Sequence, residues 1–215
     1  MSLTLHGYFR SSAAYRVRIA LNLKGLSYEQ ASVHLRKGEQ RKPAFLALNP
    51  QGMVPALIDG EAVLTQSPAI LEYLDEVYPD TPPLLPADPL GRARVRALAA
   101  VVACDIHPLN NLRVLKYLTG PMGQSQETMA GWYNHWIAEG FGALETMLSG
   151  DAATGRFCHG DAPTLADVCL APQVFNSFRH ALDLTPYPTI QRLWEGYQDH
   201  PAFAAAHPAK QPDAE

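Results

Sequence analysis

The chain has 215 residues, 47% of them hydrophobic and 18% charged. That is ample material for a packed core, in one large domain or two small ones, and it excludes global disorder. Lys and Arg number 17 against 21 Asp and Glu, a formal charge of −4. The balance argues against a general nucleic-acid binder, whose electrostatic footprint would be basic.

Met1 to Arg10 shows no basic segment followed by an apolar stretch, so no secretory signal is expected. The longest apolar run, Ala97 to Cys104, is far short of the roughly 20 residues needed to cross a bilayer. Three cysteines, Cys104, Cys158 and Cys169, are odd in number and lack C-x-x-C spacing, which speaks against a disulfide framework. They read as small buried hydrophobes. Cys104 and His107 put two ligand-type side chains on one helix face, but zinc takes three or four ligands, so no metal is expected. The expectation is a soluble, cytoplasmic protein without a membrane partner.

In chain order, Leu3 to Gly7 is strand-like, and Ser12 to Lys24 places Val17, Ala20 and Leu21 at helical spacing before Gly25. Tyr28 to Val33 reads as a second strand and Lys42 to Leu48 as a short helix closed by Asn49-Pro50. Val54 to Ile58, Asp59-Gly60 and Ala62 to Thr65 form a predicted hairpin, because Asp-Gly supplies the positive φ of a tight turn. Ser67 to Tyr78 is a helix with Pro68 at its first position. This β-α-β-α-β-β-α order is thioredoxin-like.

Tyr78 to Pro89 then holds five prolines, which helix interiors exclude. It reads as a linker, and the charge balance changes across it. Residues 1–86 carry 8 basic and 8 acidic side chains, and residues 87–215 carry 9 and 13. The predicted domains are 1–80 and 89–215, joined by residues 81–88. The second shows no clear strand. It has helices over Asp88 to Ile106, interrupted at His107-Pro108 and resuming through Leu118, then Gln124 to Leu148 and Ile190 to Gln198. Thr164-Leu165-Ala166-Asp167 is a capping box for a further helix. The stretch after Pro201, rich in Ala and Pro, is expected to be irregular.

No Gly-rich phosphate loop, H-E-x-x-H or G-x-S-x-G stands in the sequence. Three other features suggest a site. Arg10-Ser11-Ser12 sets two hydroxyls at a helix N-terminus, where amides and dipole favour an anion, although either serine also reads as a plain cap. Val54-Pro55 at a strand start fits a cis bond exposing the Val54 backbone to an extended peptide, or an ordinary edge-strand proline. Gln66-Ser67-Pro68 offers another helix start for a carboxylate, with capping again the alternative. Together they describe a site for a small peptide with a carboxylate at one end and an anionic group near Ser11, and glutathione fits that description.

These residues resemble the zeta class of glutathione transferases. That class carries a Ser-Ser-Cys-x-Trp/Tyr-Arg-Val-Arg-Ile-Ala-Leu stretch, which stands here as Ser11-Ser12-Ala13-Ala14-Tyr15-Arg16-Val17-Arg18-Ile19-Ala20-Leu21. Ala47 to Pro50, Gln66 to Ile70, Asp105 to Asn111 and Asp183 to Pro188 extend the likeness over nearly the whole chain. The resemblance implies a thioredoxin-like domain followed by an all-helical domain, a homodimer, and glutathione as cofactor. The implied activity is cis–trans isomerisation of maleylacetoacetate, a dicarboxylic keto acid, in the breakdown of tyrosine and phenylalanine. The alternatives are maleylpyruvate isomerisation or general glutathione transfer, and a non-catalytic association module.

The resemblance also implies roles. Ser11 would stabilise the glutathione thiolate, with Ser12, Ala13, Ala14, Tyr15 and Arg16 beside it. Gln40, Val54, Gln66 and Ser67 would hold the glutathione peptide. His107, Asn111, Leu112 and Arg113 would close the site from the second domain, and Arg10 and Arg179 would face the acidic substrate. For His107 binding ranks above catalysis, and either arginine also reads as a surface ion pair. The one departure is Ala13, where the class has Cys. Because glutathione itself brings the thiolate, a protein cysteine is not chemically required for isomerisation.

Overall fold

A computed structural model describes residues 2–215. The chain divides into two compact units, residues 1–84 with 198–215, and residues 85–197. The division near residue 84 agrees with the proline-rich linker. The predicted second domain does not keep its whole range, because residues 198–215 belong with the first unit.

In the first unit the elements are β1 (Leu3–Gly7), α1 (Ser12–Leu23), β2 (Tyr28–Ser32), α2 (Pro43–Leu48), β3 (Ala56–Asp59), β4 (Ala62–Thr65) and α3 (Ser67–Val77). The sheet order is β2-β1-β3-β4, with β1 parallel to β2 and antiparallel to β3. This is the thioredoxin-like arrangement expected from the order of elements. Leu3 and Leu5 alternate into the core with Leu57, while Val17, Ala20 and Leu21 give α1 its buried stripe and Ile70, Leu71 and Leu74 do the same for α3. Asp59 pairs with Ala62 across the predicted tight turn, and Gly60 has φ 58°.

The stretch expected to be irregular contains a short helix, α9 (Pro201–Ala206), entered from His200, whose ring accepts the Ala202 amide at 3.3 Å. It docks on α1, where Asn22 donates to the Ala202 carbonyl and the buried Arg18 to the Ala206 carbonyl, both at 3.0 Å. A segment rich in Ala and Pro carries little helical periodicity of its own. Contacts with α1 decide its conformation.

In the second unit, α4 (Pro89–Ala100) starts from Asp88, whose carboxylate accepts the Gly91 amide at 2.7 Å. It does not run on regularly to Ile106. Residues Val101–Ile106 form a π-helical turn, closed by the His107 amide bonding the Val102 carbonyl at 2.9 Å. Then follow α5 (Leu112–Thr119), α6 (Gln126–Ser149), α7 (Leu165–Arg179) and α8 (Pro188–Asp199), whose end carries the boundary between the units. Tyr133, Ile137, Phe141, Leu144 and Leu148 line the buried face of α6 at helical spacing. Each such side chain contributes roughly 1.5–3 kcal/mol on burial. Cys158 and Cys169 are buried as expected, whereas Cys104 is exposed. Among the described residues no helix is long and apolar enough to cross a membrane.

Gly140 on α6 faces the π-helical turn so closely that an added Cβ would stand 2.3 Å from Ile106 Cδ1. Gly140→Ala should therefore destabilise the protein by about 1–3 kcal/mol despite its better helix propensity. Denaturant titration of Gly140→Ala, Ile106→Ala and the double variant checks this. The contact explanation requires the two losses to be less than additive, since alanine at 106 removes both Cδ1 and Cγ1, which would lie 2.3 and 2.4 Å from the added Cβ.

Candidate active site

The site residues of the first unit cluster at the strand-to-helix turn and along the belt that follows it. Ser11 is the N-cap of α1, in extended conformation, and its hydroxyl oxygen accepts the Ala14 amide at 3.2 Å. The plain capping bond is thus present, yet it uses only an oxygen lone pair. The hydroxyl proton remains available, and donation from the Ala14 amide polarises it for an anion at the helix start. Ser12 and Ala14 are buried and Ala13 is half-buried. Arg10 is exposed, with its guanidinium 5.5 Å from the Phe9 ring centroid.

Tyr15 and Arg16 sit differently from the residues at the helix start. Tyr15 is 2% exposed, edge-on to the His207 ring and beneath the Arg18 guanidinium. Burial, only partly offset by Arg18, pushes its phenol up to about 12, so it stays protonated at neutral pH. Burial likewise pushes Tyr8 up. Neither tyrosine is fitted to act as a base. Arg16 is buried, and its Nη1 donates to Ser67 Oγ at 3.3 Å. It thereby links α1 to the first turn of α3.

That contact opens a continuous belt. Gln66, ahead of Ser67, has φ 67° and ψ 109°, a left-handed conformation that non-glycine residues adopt at a cost of about 1–3 kcal/mol. Its side-chain amide donates to Gln51 Oε1 at 2.7 Å. Asn49, buried, donates to the Met53 carbonyl at 2.7 Å and accepts the Gln51 amide at 3.1 Å, fixing the bend that leads to Val54. The Val54-Pro55 bond is cis. Gly52 lies so near the loop before α2 that an added Cβ would be 2.9 Å from the Gln40 carbonyl, which brings Gln40 alongside this bend. Gln40, Val54, Gln66, Ser67 and Arg16 are therefore linked in one belt through the bend at residues 49–53 and the Arg16–Ser67 bond. Asn49 and Gln51 received no role from the sequence. Asn49-Pro50 was legible as a helix stop, but not as the bracket of the bend.

The second-unit residues form a separate group. His107 closes the π-helical turn. Asn111 caps α5, accepting the Arg113 amide at 3.1 Å, and Leu112 and Arg113 are exposed. Next to them, Asn110 donates to the Tyr133 carbonyl at 2.9 Å. The His180 ring stacks on the Tyr133 ring, with centroids 3.6 Å apart. Tyr133 thus links the start of α5 to the end of α7, where Arg179 is exposed. Burial first, and then Arg179, lower the His180 pKa, so this ring is neutral at pH 7. Among the described residues no carboxylate pairs with Arg10 or Arg179, so the surface ion-pair alternative is not met for either.

The belt also fits a peptide ligand. Gln40 Oε1 is buried without a hydrogen-bond partner among the described residues, an acceptor that a ligand amide or ammonium would satisfy. The first turn of α3 presents main-chain amides beside Ser67, suited to a carboxylate.

Fold and belt together define a glutathione-transferase type of protein. Residues 1–76 match the family model described as glutathione S-transferase, N-terminal domain. Over its full length the chain is 53% identical to a probable maleylacetoacetate isomerase of Vibrio cholerae serotype O1, covering 99% of that protein. It is 52% identical to a maleylpyruvate isomerase of a Ralstonia species, over 99% of this chain and 100% of the relative. A crystal structure of maleylacetoacetate isomerase from Methylobacterium extorquens AM1, with bound malonate and glutathione, superposes with a TM-score of 0.95 at 48% identity, covering 99% of each chain. The chain belongs to the zeta class of glutathione transferases.

Proposed function

We infer that the protein catalyses the glutathione-dependent cis–trans isomerisation of maleylacetoacetate to fumarylacetoacetate. The observation that carries this reading is Ser11, whose oxygen is engaged by the Ala14 amide while its proton is left to donate at the start of α1. When bound, glutathione supplies a thiolate that adds reversibly to the alkene carbon beta to the ketone, so that the former double bond can rotate before the sulfur leaves.

The protein's part is electrostatic. A free thiol has a pKa near ~8.5. Lowering it by ~2 units needs about 2.7 kcal/mol of preferential stabilisation of the anion. One hydroxyl bond to a charged acceptor supplies roughly 1.5–3 kcal/mol, and the helix start adds to it. No protein cysteine is needed, which accommodates Ala13. Gln40, Val54, Gln66 and Ser67 hold the peptide, with Arg16 setting the Ser67 hydroxyl. Arg10 faces the charge that develops on the ketone oxygen. Arg179 grips the distal carboxylate with its planar fork. Binding roles for His107, Asn111, Leu112 and Arg113, the homodimer and the cytoplasmic location belong to the same reading.

Mixing the purified protein with glutathione and each cis acid, and following the trans product, tests it. Turnover of maleylacetoacetate that depends on glutathione is expected, and its absence refutes the assignment. The near-equal identity to a maleylpyruvate isomerase favours that acid as a second substrate. Arg179→Ala should raise the KM for either acid about tenfold, the loss of one charged bond, and leave the glutathione KM unchanged. Steady-state kinetics with each component varied separates the two. An unchanged acid KM removes Arg179 from the site.

A further inference from the structure

The turn that presents Arg10 and Ser11 is closed by the Ser11 amide bonding the Tyr8 carbonyl at 2.9 Å. Phe9, second in that turn, has no partner within it for its own amide or carbonyl, and backbone groups rarely stay unpaired when buried. Both are satisfied from elsewhere. The Phe9 amide donates to Asp213 Oδ2 at 3.0 Å, and the Phe9 carbonyl accepts from Arg18 Nη2 at 3.0 Å.

Residues 206–215 supply or support both partners. Asp213 Oδ2 also accepts the Ser32 hydroxyl at 3.1 Å, so one carboxylate joins the end of β2 to the turn after β1. Arg18 is 1% exposed and is itself held by its Nε donating to the Ala206 carbonyl. Burial lowers it to about 10, which keeps the guanidinium charged at neutral pH. Gln211, also buried, donates to the Ala205 and His207 carbonyls at 3.0 and 2.8 Å and accepts from Gln30 at 2.7 Å. Glu215 pairs with His34 beyond it. The segment is anchored on both sides of Asp213.

We propose that Asp213 is a positioning residue for the active-site turn: its carboxylate, aimed by the Gln211 anchor, holds the Phe9 amide and so sets where Arg10 and the Ser11 hydroxyl point. The proposal rests on the assignment of Ser11 to the thiolate. It deepens that assignment by giving residues 206–215 a part in turnover. A hydroxyl and a guanidinium act on the reacting atoms only at the right distance, and a misplacement of about 1 Å costs roughly 10²-fold in rate. Loss of the tether would displace the turn by less than that.

Full-length Asp213→Ala and Asp213→Asn are compared with wild type and with Ser11→Ala. The readouts are kcat, the KM for glutathione, the thermal midpoint, and the pH titration of bound glutathione followed by thiolate absorbance. Asp213→Ala should lower kcat by about fivefold to thirtyfold, change the glutathione KM less than about threefold, and move the thiol titration up toward that of the free peptide. Asp213→Asn keeps an acceptor for the Phe9 amide and should recover most of the rate. If Asp213→Ala does not fold, Asp213→Glu carries the test: it keeps the charge but moves the acceptor by one methylene, so it should lower kcat and shift the thiol titration, and wild-type values in it overturn the proposal. A lowered thermal midpoint with kcat and thiol titration at wild-type values overturns the proposal, because Asp213 would then be only a structural clamp. The Ser11 reading fails separately, if Ser11→Ala itself leaves the titration unmoved.

Discussion

Replacing Ser11 by alanine should lower kcat by about 10²-fold, close to the ~2.7 kcal/mol that lowering the thiol pKa by ~2 units requires. The glutathione KM should change little, because the proposed binding mode holds the peptide by Gln40, Val54, Gln66 and Ser67 and not by this hydroxyl. The same side chain also caps α1 through the Ala14 amide, so alanine will cost about 0.5–2 kcal/mol of stability as well. The two effects separate in Ser11→Asp. Aspartate is a strong N-cap and suits the helix dipole, so stability should match or exceed wild type. Its charge, however, repels a thiolate at the same place, so turnover should fall at least as far as in Ser11→Ala. Steady-state kinetics beside thermal unfolding reads both quantities. Unchanged turnover in the folded alanine variant would reassign the thiolate to another donor.

Asp167→Ala should be the most destabilising single change discussed, at about 3–5 kcal/mol. The carboxylate is 0% exposed and accepts from four donors. The Thr164 amide and hydroxyl reach Oδ2 at 2.8 and 2.7 Å, and the Cys158 amide and Tyr197 hydroxyl reach Oδ1 at 2.8 and 2.7 Å. The predicted capping box is thus one half of a larger knot, in which the carboxylate gathers the loop before α7 and the end of α8. Burial first, and then Asp167, push the Tyr197 phenol well up, so it remains a proton donor throughout the neutral range. Truncation removes the acceptor that these four donors share. Tyr197→Phe removes one donor and leaves the carboxylate three others, so it should cost only about 1 kcal/mol. All three tryptophans, Trp132, Trp136 and Trp194, lie within residues 85–197, and fluorescence during denaturant unfolding reports on that unit. A loss in Asp167→Ala no larger than in Tyr197→Phe would remove the knot from the account of stability.

Much of this was legible locally. The ends of β4, the start of α3 and the Asp59-Gly60 turn follow from alternation, a proline in the first helical turn and the φ preferences of two residues. Such features depend on sterics and hydrogen bonds within a few residues, and they survive whatever the rest of the chain does. Val54-Pro55 and Gln66-Ser67 were legible for the same reason, as a proline bend and a helix start, whereas Gln40 and Arg16 came only from the likeness to the zeta class. The π-helical turn at Val101–Ile106 was not legible. An alanine-rich stretch is compatible with a regular helix, and the close approach of Gly140 to Ile106 is a property of two elements in contact. The packing of Tyr15 against Arg18 and His207 was hidden in the same way.

By itself the sequence carried the class of fold and the likeness to the zeta class, because short-range patterns and the motifs of that class record them. Only the tertiary structure decided that residues 198–215 complete the first unit, that Arg18 is buried with its charge, and that Asp213 reaches the amide of Phe9 across 204 positions. A polar residue's partner at that separation is set by which buried groups remain unsatisfied once the core has packed, and no local pattern records that.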